Sequence, residues 1–158
     1  MSKVSILLVC MGNICRSPLA EAVLRVMGER AGLGRRLEID SAGTHGYHIG
    51  DAPDARACTV AQRRGYDLSP LRARQVNELD FIHFDHILAM DRENLRLLQR
   101  ACPIEYRGKL CLFLEYAVNR NDKEVPDPYY GGASGFEQVL DLVEDASRGL
   151  LQSILARK

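Results

Sequence analysis

Cys10-Met11-Gly12-Asn13-Ile14-Cys15-Arg16-Ser17-Pro18 sets a thiol first, a guanidinium six residues later and a helix start directly after. These residue types suit nucleophilic phosphoryl transfer. Backbone N–H groups of a tight loop converge on an anion. Arg16 presents a planar fork that matches two phosphate oxygens. Gly12 permits sharp curvature, and Asn13 tolerates left-handed backbone. A thiol that faces a helix N-terminus and a guanidinium loses its proton more readily, and the thiolate is the reactive form. A nucleophile inside a phosphate cradle implies transfer to sulfur, with a phosphocysteine intermediate. The bland alternative for Cys10 is a buried thiol at the end of a strand. The spacing alone does not decide, because Cys58 and Arg64 repeat it. That second pair has no glycine between its members and sits in a helical pattern, so Cys58 reads as a helix residue packed in the core.

The elements around the loop fit the first reading. Residues 4–9 form an apolar run of strand length, rich in Val and Ile, of the kind buried on both faces of a parallel sheet. Ser17 as N-cap and Pro18 at the first helical position then open a helix. Its apolar face is Leu19, Ala22, Val23, Val26 and Met27, and Gly32 and Gly34 end it. A second strand is expected over 37–40, a breaker-rich loop over 41–53 and a helix over 54–64 closed by Gly65. A third strand covers 86–90, and Asp91 caps a helix to about residue 100. A fourth strand covers 109–114 and a polar loop 119–135. Phe136, Val139, Leu140, Val143, Leu150, Leu151, Ile154 and Leu155 mark a long terminal helix. The alternation predicts an α/β fold. One domain, 1–158, holds a central, mainly parallel four-stranded sheet flanked by helices, with the phosphate-binding loop after the first strand.

Composition removes other classes. The 158 residues carry 21 Lys+Arg against 21 Asp+Glu, with 46% hydrophobic and 27% charged. A disordered chain would lack that apolar content. A nucleic-acid binder acting by bulk charge would need a basic excess. No apolar run approaches a membrane span, and residues 6–11 are too short and lack a cleavage site for a signal peptide. Five cysteines make no disulfide framework, so a reducing, cytoplasmic setting is expected. His45, His48, His83 and His86 show no metal-ligand spacing, and the first two read as solvated loop residues.

Residues 9–18, Val9-Cys10-Met11-Gly12-Asn13-Ile14-Cys15-Arg16-Ser17-Pro18, closely resemble the signature of the low-molecular-weight protein tyrosine phosphatases. Asp127-Pro128-Tyr129-Tyr130 is similar to that family's acid loop, and Asp40-Ser41 and Met90-Asp91 match further along the chain. The resemblance spans essentially the whole sequence. It implies hydrolysis of phosphotyrosine and small aryl phosphates, without metal or cofactor. Cys10 is then the nucleophile and Arg16 the phosphoryl binder, in a loop completed by Met11, Gly12, Asn13, Ile14, Cys15 and Ser17. Asp127 would protonate the leaving phenolate and then activate water. Pro126 and Pro128 would stiffen its loop, although an Asp in a Pro-rich turn is often only a surface residue. Asn13, Ser17 and Ser41 would support the loop and thiolate. Cys15 would form a reversible disulfide with Cys10.

Tyr47, Tyr129 and Tyr130 would make an aromatic rim for the substrate ring, or else are ordinary amphipathic surface residues. Some members act on phosphoarginine and carry Thr where this chain has Ile14, so Ile14 points to phosphotyrosine. Some carry a loop-supporting His where Leu71 stands here. The implied partner is a phosphotyrosine-containing protein, with a tyrosine kinase as one candidate. Arsenate reduction on the same fold and protein arginine phosphatase activity are the rival readings. Cys102 and Cys111 do not look like an arsenate reductase's resolving pair and read as core residues.

Overall fold

The structure is a computed structural model that describes residues 3–129 and 131–157. Strand β1 (Val4–Cys10) lies between β2 (Leu37–Gly43) and β3 (His86–Ala89), and β4 (Leu110–Leu112) pairs with β3. The order is β2-β1-β3-β4, and all three pairings are parallel. Helices are α1 (Arg16–Arg30), α2 (Ala55–Arg63), α3 (Glu78–His83), α4 (Arg92–Ala101) and α5 (Ala133–Ala156). Two 3-10 segments, Ile104–Lys109 and Phe113–Tyr116, flank β4.

The apolar run of β1 is continuous because both of its faces are covered. Ile6, Leu8 and Cys10 point into a core with Leu19 and Val23 of α1, Val60 of α2 and Val139 and Val143 of α5. Leu7 and Val9 point the other way, to Phe81 of α3, to Phe84 at its C-terminal end and to Leu98 of α4. α5 crosses so closely that a Cβ at Gly149 would sit 1.7 Å from the Tyr116 carbonyl oxygen. Among the described residues, no helix is long and apolar enough to cross a membrane.

Several boundaries move. α1 begins at Arg16 with Cys15 as N-cap, not at Ser17, and no side chain caps it. β2 runs on to Gly43 because it pairs with β1 along its full length, so Ser41 lies in a strand and not in a loop. α3 was not expected; it opens with a reciprocal capping box between Asn77 and Asp80. β4 keeps three of its six expected residues before the chain tightens into a 3-10 turn. Cys58 is half-buried and packs at the margin of the core, not within it.

Candidate active site

β1 ends at Cys10 and α1 starts at Arg16, so the loop 11–15 turns at the carboxyl end of a central strand. The end of β2 fastens it. Thr44 N donates to Cys10 O at 2.9 Å and His45 N to Met11 O at 3.0 Å. A Cβ at Gly43 would come 2.7 Å from the Met11 oxygen, so only glycine permits this approach. Asn13 has φ 61°, the left-handed turn that closes the loop.

Asn13 is also its anchor. Its Nδ2 donates to Ser17 Oγ at 2.8 Å and to Ser41 Oγ at 3.0 Å, and its Oδ1 accepts from Arg74 N at 3.0 Å. Its own N–H points at Cys10 Sγ, 3.3 Å away. Ser17 Oγ lies 3.0 Å from the same sulfur. With Cys10 as thiolate, Ser17 is the donor, since its oxygen already accepts from Asn13. The competing demand of sulfur and Asn13 explains why Ser17 does not cap the helix. Ser41 in turn donates to Glu21 Oε1 at 2.7 Å. Burial raises the Glu21 carboxyl, and the Ser41 bond and Arg25 oppose that rise. Leu71 is half-buried against the core and takes no part in this network.

Arg16 is 3% exposed. Its Nη1 donates to Asp91 Oδ2 at 2.6 Å and to Val125 O at 3.0 Å, while Nη2 lies 3.6 Å from Asp127 Oδ2. Burial works against its charge, but the charges of Cys10, Asp91 and Asp127 and the bond to Asp91 outweigh it and raise the guanidinium pKa. Asp127 is brought here from a loop whose base is pinned by Val125 N donating to Met90 O at 2.8 Å. Tyr129 N donates to Asp127 Oδ1 at 3.0 Å and fixes the carboxyl's rotation.

A cleft of about 230 Å³ joins these groups. Cys10, Arg16 and Asp127 line it, with the loop residues Met11, Gly12, Ile14 and Cys15 and the rim residues Tyr47, His48 and Tyr129. Tyr47 is 73% exposed and stacks on His45, ring centroids 5.1 Å apart. Tyr130 lies outside the described residues. His48 was read as a solvated loop residue; it borders the cleft, with Nδ1 3.1 Å from Asp51 Oδ2 and its ring against Gly12. Glu21 and Arg74 were also missed, and nothing local in the sequence marks them. Asp91 caps α4 as the sequence predicts, and its hold on Arg16 is an additional role that the sequence does not show.

The loop holds a second cysteine. Cys15 is buried, and burial, then Asp54, Cys10 and Asp127, pushes its thiol up to about 12. It stays protonated at neutral pH. Cys102 and Cys111 do not line the cleft, and burial raises both thiols. Among the described residues, no three His, Cys, Asp or Glu side chains gather so as to hold a metal ion.

The family model for low molecular weight phosphotyrosine protein phosphatase matches residues 5–158. A low molecular weight protein-tyrosine-phosphatase of Streptomyces coelicolor is 48% identical over 149 residues, covering 92% of this chain and 90% of its own. A low molecular weight phosphotyrosine protein phosphatase of Schizosaccharomyces pombe is 46% identical over 152 residues, covering 96% and 97%. The crystal structure of a protein tyrosine phosphatase from Entamoeba histolytica, with Hepes in the active site, superposes with a TM-score of 0.95 at 40% identity, covering 98% of each chain. The chain belongs to the low molecular weight phosphotyrosine protein phosphatase family.

Proposed function

We propose that this chain, acting as one domain, hydrolyses phosphotyrosine in protein substrates through a phosphocysteine intermediate. The observation that carries this reading is the convergence of Cys10, Arg16 and Asp127 on one cleft. The phosphate dianion enters the loop, where backbone N–H groups and Arg16 neutralise it. Cys10 Sγ attacks phosphorus in line. The P–O bond to the tyrosyl ring breaks, and Asp127 gives its proton to the leaving oxygen. Asp127, now a carboxylate, takes a proton from water. The water oxygen bonds to phosphorus, the S–P bond breaks, and phosphate leaves with the Cys10 thiolate restored.

The rim supports an aryl substrate. Tyr47 and Tyr129 border the cleft and can flank a ring, while Ile14 offers an apolar wall. A short serine phosphate would leave those faces unfilled. Ile14 also favours phosphotyrosine over phosphoarginine, through the family contrast at that position. The setting is the cytoplasm, and a tyrosine kinase is a fitting source of substrate.

The test compares wild type and Cys10→Ser on p-nitrophenyl phosphate, a phosphotyrosine peptide, phosphoarginine and arsenate, with EDTA present. Turnover of the first two, abolished by the substitution, is the expected result. Preference for phosphoarginine would overturn the use made of Ile14. Thiol-dependent arsenate turnover alone would move the assignment to a reductase.

A further inference from the structure

One side chain outside the catalytic set bonds to the acid loop and is joined, through one neighbouring residue, to the phosphate loop. Arg56, in the first turn of α2, is gripped by Asp54: Nε donates to Oδ1 at 3.1 Å and Nη2 to Oδ2 at 3.0 Å. The same guanidinium reaches out to the acid loop. Nη2 donates to the Tyr129 carbonyl at 2.8 Å and Nη1 to the Gly131 carbonyl at 3.1 Å. Its flat face lies 5.7 Å from the Tyr129 ring centroid and 4.8 Å from that of Phe136. Asp54, for its part, is tied to the phosphate loop, because its N–H donates to Ile14 O at 2.8 Å. A continuous path therefore runs from Ile14 through Asp54 and Arg56 to Tyr129.

Tyr129 is the residue whose N–H holds Asp127 Oδ1. Holding the Tyr129 carbonyl holds the peptide chain that aims the acid. We propose that Arg56 is a positioning residue for the general acid, clamping the acid loop to the phosphate loop so that the Asp127 carboxyl faces the leaving oxygen. The clamp grips backbone carbonyls and adds a face-on contact with the Tyr129 ring. The planar fork is needed, since one guanidinium serves a carboxylate and two carbonyls at once, which an ammonium cannot match. The inference rests on Asp127 being the acid and adds the group that sets its aim.

The experiment measures kcat/KM for aryl phosphates whose leaving phenols span a range of basicity. Wild type, Arg56→Ala, Arg56→Lys, Asp127→Asn and the Arg56→Ala/Asp127→Asn double variant are compared, each with its thermal midpoint. General acids contribute about 10²- to 10⁴-fold, and misplacement by about 1 Å costs about 10²-fold. Arg56→Ala should therefore lose about 10-fold or more on a basic leaving group and much less on an acidic one, which steepens the leaving-group slope. In the Asp127→Asn background the same change should add less than about 2-fold, because the two act as a unit. Arg56→Lys should fall on the side of Ala, and it stands in if the alanine variant fails to fold. A steep slope for Asp127→Asn beside a wild-type slope in both Arg56 variants would overturn the inference alone. An equal loss for all leaving groups would mark Arg56 as merely structural and overturn it too. A wild-type slope for Asp127→Asn would overturn the acid assignment, and this inference with it.

Discussion

Arg16 and Asp91 meet at 2.6 Å, joining the first residue of α1 to the N-cap of α4. Asp91 divides its oxygens: Oδ2 holds Arg16 and Oδ1 accepts from Asn94 N at 2.7 Å. The guanidinium is thus aimed before any phosphate arrives, so little reorganisation remains to be done on binding. Asp91→Asn separates the two duties, since Asn caps a helix about as well as Asp but carries no charge. The thermal midpoint is expected to stay near that of wild type. Phosphate inhibition and kcat/KM should weaken by about 1–2 kcal/mol, roughly 10-fold, for loss of a charge-assisted bond. Steady-state kinetics with phosphate as competitor checks this; unchanged affinity would mean that Val125 O suffices to aim Arg16.

Asn13 combines a backbone role and a side-chain role that two substitutions can pull apart. Asn13→Gly keeps the left-handed turn and loses the bonds to Ser17, Ser41 and Arg74 N. Asn13→Ala loses the same bonds and adds the strain of φ 61° on a Cβ-bearing residue. That strain is about 1–2 kcal/mol. Both variants should be slowed at least about 10-fold, as Ser17 and the thiolate lose their support. Glycine should be the more stable of the two by about 1 kcal/mol, read from urea denaturation. An alanine variant as stable as the glycine one would show that the loop relaxes out of its turn.

Glu21 makes stability depend on pH. Burial raises its carboxyl pKa above the ordinary 4.5. Between 4.5 and the folded value, the folded protein holds a proton that the unfolded chain releases. Folding is therefore favoured most at the acid end, and this contribution is lost as pH rises through the folded pKa. Glu21→Gln cannot titrate. Its unfolding free energy, relative to wild type, should rise from pH 4.5 toward neutrality and then level off. Denaturant titrations at a series of pH values measure the difference, and a difference that falls with pH would reverse the assignment.

The centre of the site was readable because its signals are local. An apolar run of strand length, then Gly12, Asn13 and the pair Ser17-Pro18, spell strand, tight loop and helix without help from the rest of the chain. The same local reading misplaced the helix start. Ser-Pro suits an N-cap, but the Cys10 sulfur and Asn13 both compete for the Ser17 hydroxyl, and that demand appears only once the loop has closed. Glu21, Arg74 and Arg56 were invisible for a related reason. Their partners lie 20, 61 and 73 residues away, at Ser41, Asn13 and Tyr129. α3 is six residues long, too short to show a helical period, and only its capping box could have marked it.

Cys15 should act as the resolving thiol when Cys10 is oxidised. Both line the cleft, and both are buried. At rest Cys15 is kept protonated by burial and by the charges of Asp54, Cys10 and Asp127. It therefore does not compete as a nucleophile. Hydrogen peroxide converts the Cys10 thiolate to a sulfenic acid and releases hydroxide. One of the charges that holds the Cys15 proton is then gone. Attack of the Cys15 sulfur on the sulfenic sulfur forms the disulfide and expels water, before a second peroxide can carry Cys10 to the sulfinic acid. Peptide mapping of peroxide-treated wild type should show a Cys10–Cys15 crosslink, and dithiothreitol should restore activity. Cys15→Ser should lose activity irreversibly at the same peroxide dose, with sulfinic acid at Cys10. Wild type that shows no crosslink and stays inactive after dithiothreitol would remove Cys15 from this role and leave it as a packing residue beside the nucleophile.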